Sequence, residues 1–290
     1  MHILKLRKNM RLQPSSENDR YSQWLLDIGH GRHLDNDCNT TIPSPIITFD
    51  EDHLINTIYG DISDSTSACP PPPQYFLDHA ILAPCNMDVE DTNERILSRM
   101  HGDLITCHSA DSLDLIEHST IGHNDIPQDL LHALQPPSMP PSELHMKIGC
   151  PLILLQNLDP SKGLRNGTRM ILRRAYHRLL EVKIIGGNHH AEKAFIPRIT
   201  LKPTTQYPFG FCRRQFPLRL AFAMTINKAQ GQSIKFVGLH LVSPVFSHGQ
   251  LYVALSRATA SEHVHVLLPN TPTGRKHKTP NIVYPDVLLD

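Results

Sequence analysis

The sequence predicts an α/β fold with a small β-barrel inserted into it, and three observations lead there. An apolar strand candidate, Ala80-Ile81-Leu82-Ala83-Pro84, runs into a helix on which Val89, Asn93, Ile96, Leu97 and Met100 recur at helical spacing, which is one βα step. Past Leu144 the period drops to two, and hairpin signals stand at Asn166-Gly167 and Gly186-Gly187-Asn188. After Arg214 the α/β rhythm returns. A run of short strands between two halves of a parallel-sheet pattern reads as an inserted barrel.

The elements follow in order. Ile3, Leu4 and Leu6 suggest a first strand, and a helix puts Tyr21, Trp24, Leu25 and Ile28 on one face, with Gly29 as its stop. Residues 30–78 are rich in Pro, Asp and Ser, and are expected to be irregular, with a polyproline spacer at Pro70-Pro71-Pro72-Pro73. Asn86 is expected as the N-cap of the helix after Pro84. Leu144, Met146 and Ile148 alternate, and Pro151 to Leu155 is a short apolar strand. Leu218 to Ala223 has a buried-strand pattern, Thr225 to Gly231 a short helix or loop, and Ile234 to Leu241 another strand. Ser247 and Gln250 stand at capping-box spacing before a helix, flanked by Phe246 and Leu251 at the staple positions. His263 to Leu268 closes with strand alternation.

These readings divide the chain. Residues 1–108 are the first part of the parallel-sheet domain, 109–213 the inserted barrel with an acidic lead-in, and 214–268 the second part of the larger domain. Residues 269–290 are expected to be a disordered tail. For 290 residues of 32.7 kDa, about two domains is the ordinary expectation. No apolar run approaches the ~18 residues of a spanning helix, so no membrane partner is expected. The start has charges inside its only apolar stretch, unlike a signal peptide, and the six cysteines lack CxxC spacing. An intracellular, reducing compartment and no metal site are the expectations.

The net charge of zero conceals an asymmetry. From His145 to Lys235 there are sixteen Lys/Arg and three acids, while the rest of the chain holds twelve bases and twenty-five acids. A surplus of thirteen positive charges over residues 145–235 points to a polyanion, the plainer alternative being a solvated basic face. Two clusters suggest chemistry. Gln250, Ala254 and Arg257 fall at i, i+4 and i+7, so a guanidinium stands on a capped helix, suited either to a phosphate or to the helix's own C-terminal dipole. Thr225-Ile226-Asn227-Lys228-Ala229-Gln230-Gly231-Gln232-Ser233 follows a buried strand, at the edge where α/β sheets bind ligands. Two things are missing: no GxxxxGK[ST] occurs, and no acidic pair suited to Mg²⁺ follows an apolar strand. Asp50-Glu51-Asp52 is read as a loop. The chain supplies at most half of a nucleoside-triphosphate site.

Residues 218–233, LRLAFAMTINKAQGQS, and 245–258, VFSHGQLYVALSRA, resemble the fifth and sixth motifs of PIF-type, RecD-like superfamily-one DNA helicases. Residues 144–202 are similar to that family's inserted barrel, and 80–97 and 4–11 to earlier segments of its second motor domain. The resemblance implies a RecA-like parallel-sheet domain of the P-loop NTPase superfamily: the second motor domain, without its own P-loop. It implies ATP and Mg²⁺ as cofactors, held mostly by a first RecA-like domain supplied in cis or in trans. Single-stranded DNA or DNA junctions would be the nucleic-acid partner, unwound 5′ to 3′ in repair, recombination or telomere maintenance, in nucleus or mitochondrion. Arg257 would be the arginine finger and Arg11, in KNMR, a second nucleotide-facing arginine. Gln250 and Gly231 would lie by the nucleotide, and Thr225, Asn227, Lys228, Gln232 and Asn86 by DNA. Cys85 stands where the family more usually has Thr. The chain alone is expected to hydrolyse no ATP. The alternative is a catalytically dead remnant, from a Helitron-like mobile element, that only binds DNA.

Overall fold

The computed structural model describes residues 12, 15–63, 71–113, 126–204, 207, 209–269, 277–284 and 286. They form two compact units: residues 1–61, 78–92 and 223–290, and residues 62–77 and 93–222.

The first unit is built on a five-stranded, all-parallel sheet. In spatial order its strands are Ala223–Thr225, His79–Ala83, Phe236–His240, Val264–Leu267 and Ile47–Thr48. Four of the five residues His79–Ala83 are buried, as a strand covered on both faces requires. The helix Ser16–Gly29 packs Tyr21, Leu25 and Ile28 inward, with Trp24 partly buried. Ser15 caps it, its Oγ accepting from the Asn18 amide at 3.1 Å, a bond type worth about 1 kcal/mol. The helix ends through His30, and the left-handed residue is Gly31 (φ 66°) rather than the expected Gly29. The expected first strand lies outside the described residues.

The stretch expected to be irregular is partly ordered. Asp50, expected in a loop, is the N-cap of the helix Glu51–Tyr59, its Oδ1 accepting from the His53 amide at 2.7 Å. That helix buries Leu54, Ile55, Ile58 and Tyr59, and Glu51 Oε1 lies 3.9 Å from the buried His240. Gly238 is required where it is: a Cβ there would come within about 3.1 Å of Ile81, Ile58 and Leu54.

The tail corrects another expectation. Residues 277–284, expected to be disordered, are tied down. Lys278–Pro280 pairs antiparallel with Asn39–Thr41, and Asn281 Nδ2 donates to the Ile28 carbonyl at 2.8 Å, with both Thr279 and Asn281 buried. The Gly249 amide donates to the Ile282 carbonyl at 3.0 Å.

The second unit is antiparallel and closes on itself. Pro151–Leu154 pairs with Arg169–Ala175, that with Leu179–Ile185, and that with Lys193–Pro197. Beyond Arg198 the chain continues as Ile199–Leu201, which pairs with Phe211–Gln215. That strand continues past Pro217 as Leu218–Leu220, which returns to Pro151–Leu154. Two bent strands thus turn the corners of a small barrel. The hairpin glycines stand as expected: Gly167 at φ 89°, Gly186 at 80° and Gly187 at 67°, values that side chains with a Cβ avoid. The apolar run Leu218–Ala223 is not one strand of the larger domain. Its first part belongs to the barrel, and the parallel sheet resumes only at Ala223 rather than at 214.

One buried ion pair pins the barrel's extra ladder. Arg213 and Asp111 are cross-strand partners, Phe211–Gln215 pairing with Ala110–Leu113, and both side chains are fully buried. Arg213 Nε and Nη2 donate to the carboxylate at 2.7–3.1 Å, while Nη2 and Nη1 also donate to the carbonyls of Leu131 and Pro140.

Candidate functional site

Thr225 ends its strand beside Ala83, in register with it, and the Ile226 amide donates to the Ala83 carbonyl at 3.0 Å. The polar segment therefore leaves from the carboxyl edge of the sheet, next to the loop carrying Pro84 and Cys85. It then winds in turns. Amides of Lys228 and Ala229 donate to Thr225, that of Gln230 to Asn227, and that of Gln232 to Ala229. Ile226 and Ala229 face the core, while Asn227, Gln230, Gly231 and Ser233 are exposed. Gln232 Nε2 folds back to the Lys228 carbonyl at 3.2 Å. The segment ends at the opposite, amino edge, where Ile234 bridges to Ala258 and Lys235 donates to the carbonyl of Asp78.

Arg257 sits at that amino edge, just past the helix Gln250–Leu255, and is buried at 6% exposure. Nε donates to the Val253 carbonyl at 2.8 Å, in the last turn of the helix. Nη1 donates to the carbonyls of Gln232 at 3.1 Å and Ala229 at 3.5 Å, and Nη2 to Ser256 Oγ at 3.0 Å. The guanidinium thus joins the helix end to the inner backbone of the polar turn. Of the two expected roles, the contact with the helix C-terminus is the one visible here, but on a buried rather than a surface arginine.

Gln250 and Arg257 are not neighbours. Gln250 opens the helix and Arg257 follows its end, seven residues and about 10 Å further along the axis. Gln250 Oε1 accepts from the amides of Phe246 (2.9 Å) and Ser247 (3.4 Å), which realises one half of the expected capping box. The other half fails: the cap residue is Gly249, at φ 68°, with no side-chain cap bond. The staple fails too, because Phe246 is 61% exposed while Leu251 is buried. Gln250 Nε2 is buried and meets no acceptor among the described residues, so the helix start offers an unmatched amide donor. Asn86 is the first residue of the helix Asn86–Arg99 rather than its cap, and is half-buried. Cys85 Sγ donates to Asp88 at 2.9 Å. Gly231 holds φ 85°, with open space where a Cβ would stand. Arg11 lies outside the described residues.

Residues the sequence offered only as a charge surplus take positions in the barrel. Arg178, Arg198 and Arg214, with His108 and His177, line one groove of about 630 Å³. Four segments far apart in the chain supply them, and spacing along the sequence carries no signal of that. Among the described residues no group of three or more His, Cys, Asp or Glu could hold a metal ion.

Comparison with known proteins agrees with this layout. A family model described as "DNA helicase Pif1, 2B domain" matches residues 129–174, which lie in the second unit. The ATP-dependent DNA helicase PIF1 of Xenopus laevis is 34% identical over 188 residues, covering 62% of this chain and 26% of that protein. The human protein of the same name is 33% identical over 183 residues, with the same coverage. A Bacteroides Pif1 crystal structure bound to single-stranded DNA matches 95% of this chain and 54% of its own, at TM-score 0.56 and 21% identity. The Pif1 helicase from Candida albicans matches 87% and 54%, at 0.52 and 22%. The first unit therefore has the RecA-like fold. This chain is similar to the C-terminal part of PIF-type helicases, and it spans about a quarter of the length of the relatives it matches.

Proposed function

We propose that this chain is the C-terminal motor part of a 5′ to 3′ ATP-dependent DNA helicase, working with a first RecA-like domain that carries the P-loop. The single observation behind this reading is the hydrogen-bonded unit of Arg257 with the 225–233 turn. It ties the arginine proposed to face nucleotide to the segment proposed to face DNA through the carbonyls of Gln232 and Ala229.

The donor chemistry suits a polyphosphate. Gln250 contributes an unmatched buried amide, and Arg257 a guanidinium held on three carbonyls and a hydroxyl. When bound, ATP supplies the phosphoryl group that is transferred and Mg²⁺ offsets its charge, the metal being held by the first domain. The residues of this chain orient and stabilise. Arg257 exchanges its carbonyl partners for phosphate oxygens. Thr225, Asn227, Lys228 and Gln232, with Asn86 at the start of the neighbouring helix, face the strand of DNA, and Gly231, with open space where a Cβ would stand, lies by the nucleotide. Arg11 is proposed as a second nucleotide-facing arginine. A nuclear or mitochondrial setting accompanies the reading.

The test is turnover. The chain alone, with ATP and single-stranded DNA, is expected to release no phosphate. Addition of a P-loop-bearing first domain restores release, and Arg257→Ala abolishes it. Turnover by the isolated chain, or full turnover with Arg257→Ala in the assembled protein, refutes the proposal. The second reading, a remnant that binds DNA without turnover, draws on the engagement of Arg257 by three carbonyls and a hydroxyl of its own chain. It predicts DNA binding with no recovery of turnover by any added domain.

A further inference from the structure

We infer that the groove on the barrel is a phosphate-tracking site for one strand of nucleic acid, centred on Arg178, Arg198 and Arg214. The inference rests on the proposed function and deepens it, because it assigns the contact to particular side chains of the insert.

Three features separate this groove from an ordinary basic face. The first is convergence. Thr106 and His108 come from the strand Ile105–His108, His177 and Arg178 from the turn before Leu179–Ile185, Arg198 from the bend after Lys193–Pro197, and Arg214 from Phe211–Gln215. The folded barrel thus gathers three guanidinium groups into one concavity, with no carboxylate among its lining residues. Glu143 lies outside the lining, 3.5 Å from His108 Nδ1. Other acids of this face are engaged elsewhere, Glu181 lying within 4 Å of Arg174 and Lys193.

The second feature is preorganisation. Arg198 is half-buried, its guanidinium carbon 4.7 Å above the Phe216 ring, and it donates to the His108 carbonyl. A guanidinium fixed on a ring face keeps its remaining donors aimed and loses little freedom when a phosphate arrives. The third is the rim. On the outward face of the strand Lys193–Pro197, Phe195 is 54% exposed two residues before the lining Pro197, and Tyr176, 49% exposed, directly precedes the lining His177. Exposed aromatic rings beside a basic groove are the arrangement that binds single strands without sequence preference: phosphates in the groove, bases on the rings. The volume of about 630 Å³ exceeds what one phosphate needs and is open enough for a short run of backbone.

The experiment is fluorescence anisotropy of a labelled oligo(dT) with the full chain between low and moderate salt. Arg178→Ala, Arg214→Ala and the double variant are compared with Lys162→Ala, which removes an equal charge from the exposed turn Pro160–Lys162. Each single groove variant is expected to weaken binding several-fold and to lower the slope of log affinity against log salt by about 0.7, the value for one phosphate contact on a single strand, and the double variant by about 1.4. Lys162→Ala is expected to leave both nearly unchanged. Phe195→Ala is expected to weaken binding with the salt slope intact, since stacking releases no counterions. Equal losses from Lys162→Ala and the groove variants would overturn the groove and leave a diffuse basic surface. Wild-type binding that the groove variants leave untouched would also overturn it, while sparing the helicase reading. No binding by the wild-type chain would count against that reading itself. Circular dichroism on each variant separates lost contact from lost fold.

Discussion

Asp111→Ala offers a test of how the barrel is held. Asp111 and Arg213 are wholly out of solvent, and the guanidinium divides its donors between the carboxylate and the carbonyls of Leu131 and Pro140. Truncating the carboxylate strips the acceptor from Nε and from one bond of Nη2, leaving a buried cation with two neutral acceptors. Removing one partner of such a pair costs about 3–5 kcal/mol, most of it the desolvation of the stranded charge. Native-state hydrogen exchange localises the loss. The amides of Phe211–Gln215 and Ala110–Leu113 are expected to lose roughly two to four orders of magnitude of protection, since about 1.4 kcal/mol is tenfold. The double change Asp111→Leu with Arg213→Met is expected to recover most of it, because an apolar pair of similar volume carries no desolvation cost. A loss under about 1 kcal/mol for Asp111→Ala, the range of an exposed pair, would refute the argument.

Other expectations concern the first unit. The hydrogen bond from Lys278, then that from the Asn39 amide, holds the Asp35 carboxyl at about 2. A depressed folded pKa favours the fold above the ordinary carboxylate range, and that contribution fades as pH falls toward 2. In Lys278→Ala the Asp35 titration followed by NMR is expected to move upward, and an unmoved titration would exclude Lys278 as the main cause. Asn281→Ala removes the donor to the Ile28 carbonyl and is expected to cost about 1–3 kcal/mol. Fluorescence of Trp24, on the helix that Asn281 supports, reports it during denaturant unfolding, and an unchanged midpoint would show that the tail is not structural.

What the sequence made legible was local. Asn166-Gly167 and Gly186-Gly187 announce turns because only positive φ closes those hairpins, and the strand His79–Ala83 announces itself because both its faces are covered. The helix Glu51–Tyr59 was hidden by its acidic, proline-flanked start, although Asp50 as cap with Leu54, Ile55, Ile58 and Tyr59 behind it carried the signal. The strand Lys278–Pro280 carried none. Three residues ending in proline acquire their order from Asn39–Thr41 and from the burial of Asn281, contacts more than two hundred residues away along the chain. Nor could Leu218–Ala223 reveal its division, since one apolar run serves an antiparallel partner at Leu218–Leu220 and a parallel one at Ala223–Thr225. For the candidate site, the residues proposed from spacing mostly share one unit, but spacing could not show that the helix stops at Leu255 or that Arg257, beyond it, is buried against the Ala229 and Gln232 carbonyls.

That burial changes what Arg257 can be. A finger standing free on a helix could be removed with little consequence until a nucleotide arrived. Here the same guanidinium closes the inner side of the turn whose outer side carries Asn227, Gln230 and Gly231. Anything that draws Arg257 away strips donors from the Ala229 and Gln232 carbonyls and loosens the turn. Anything that reshapes the turn alters the hold on Arg257. Linkage makes the two effects equal in binding free energy. On the proposed reading, a nucleotide that draws Arg257 from these carbonyls is expected to change the turn's affinity for DNA, and DNA is then expected to change the affinity for nucleotide by the same factor. The coupling proposed for them runs through the hydrogen bonds of one residue.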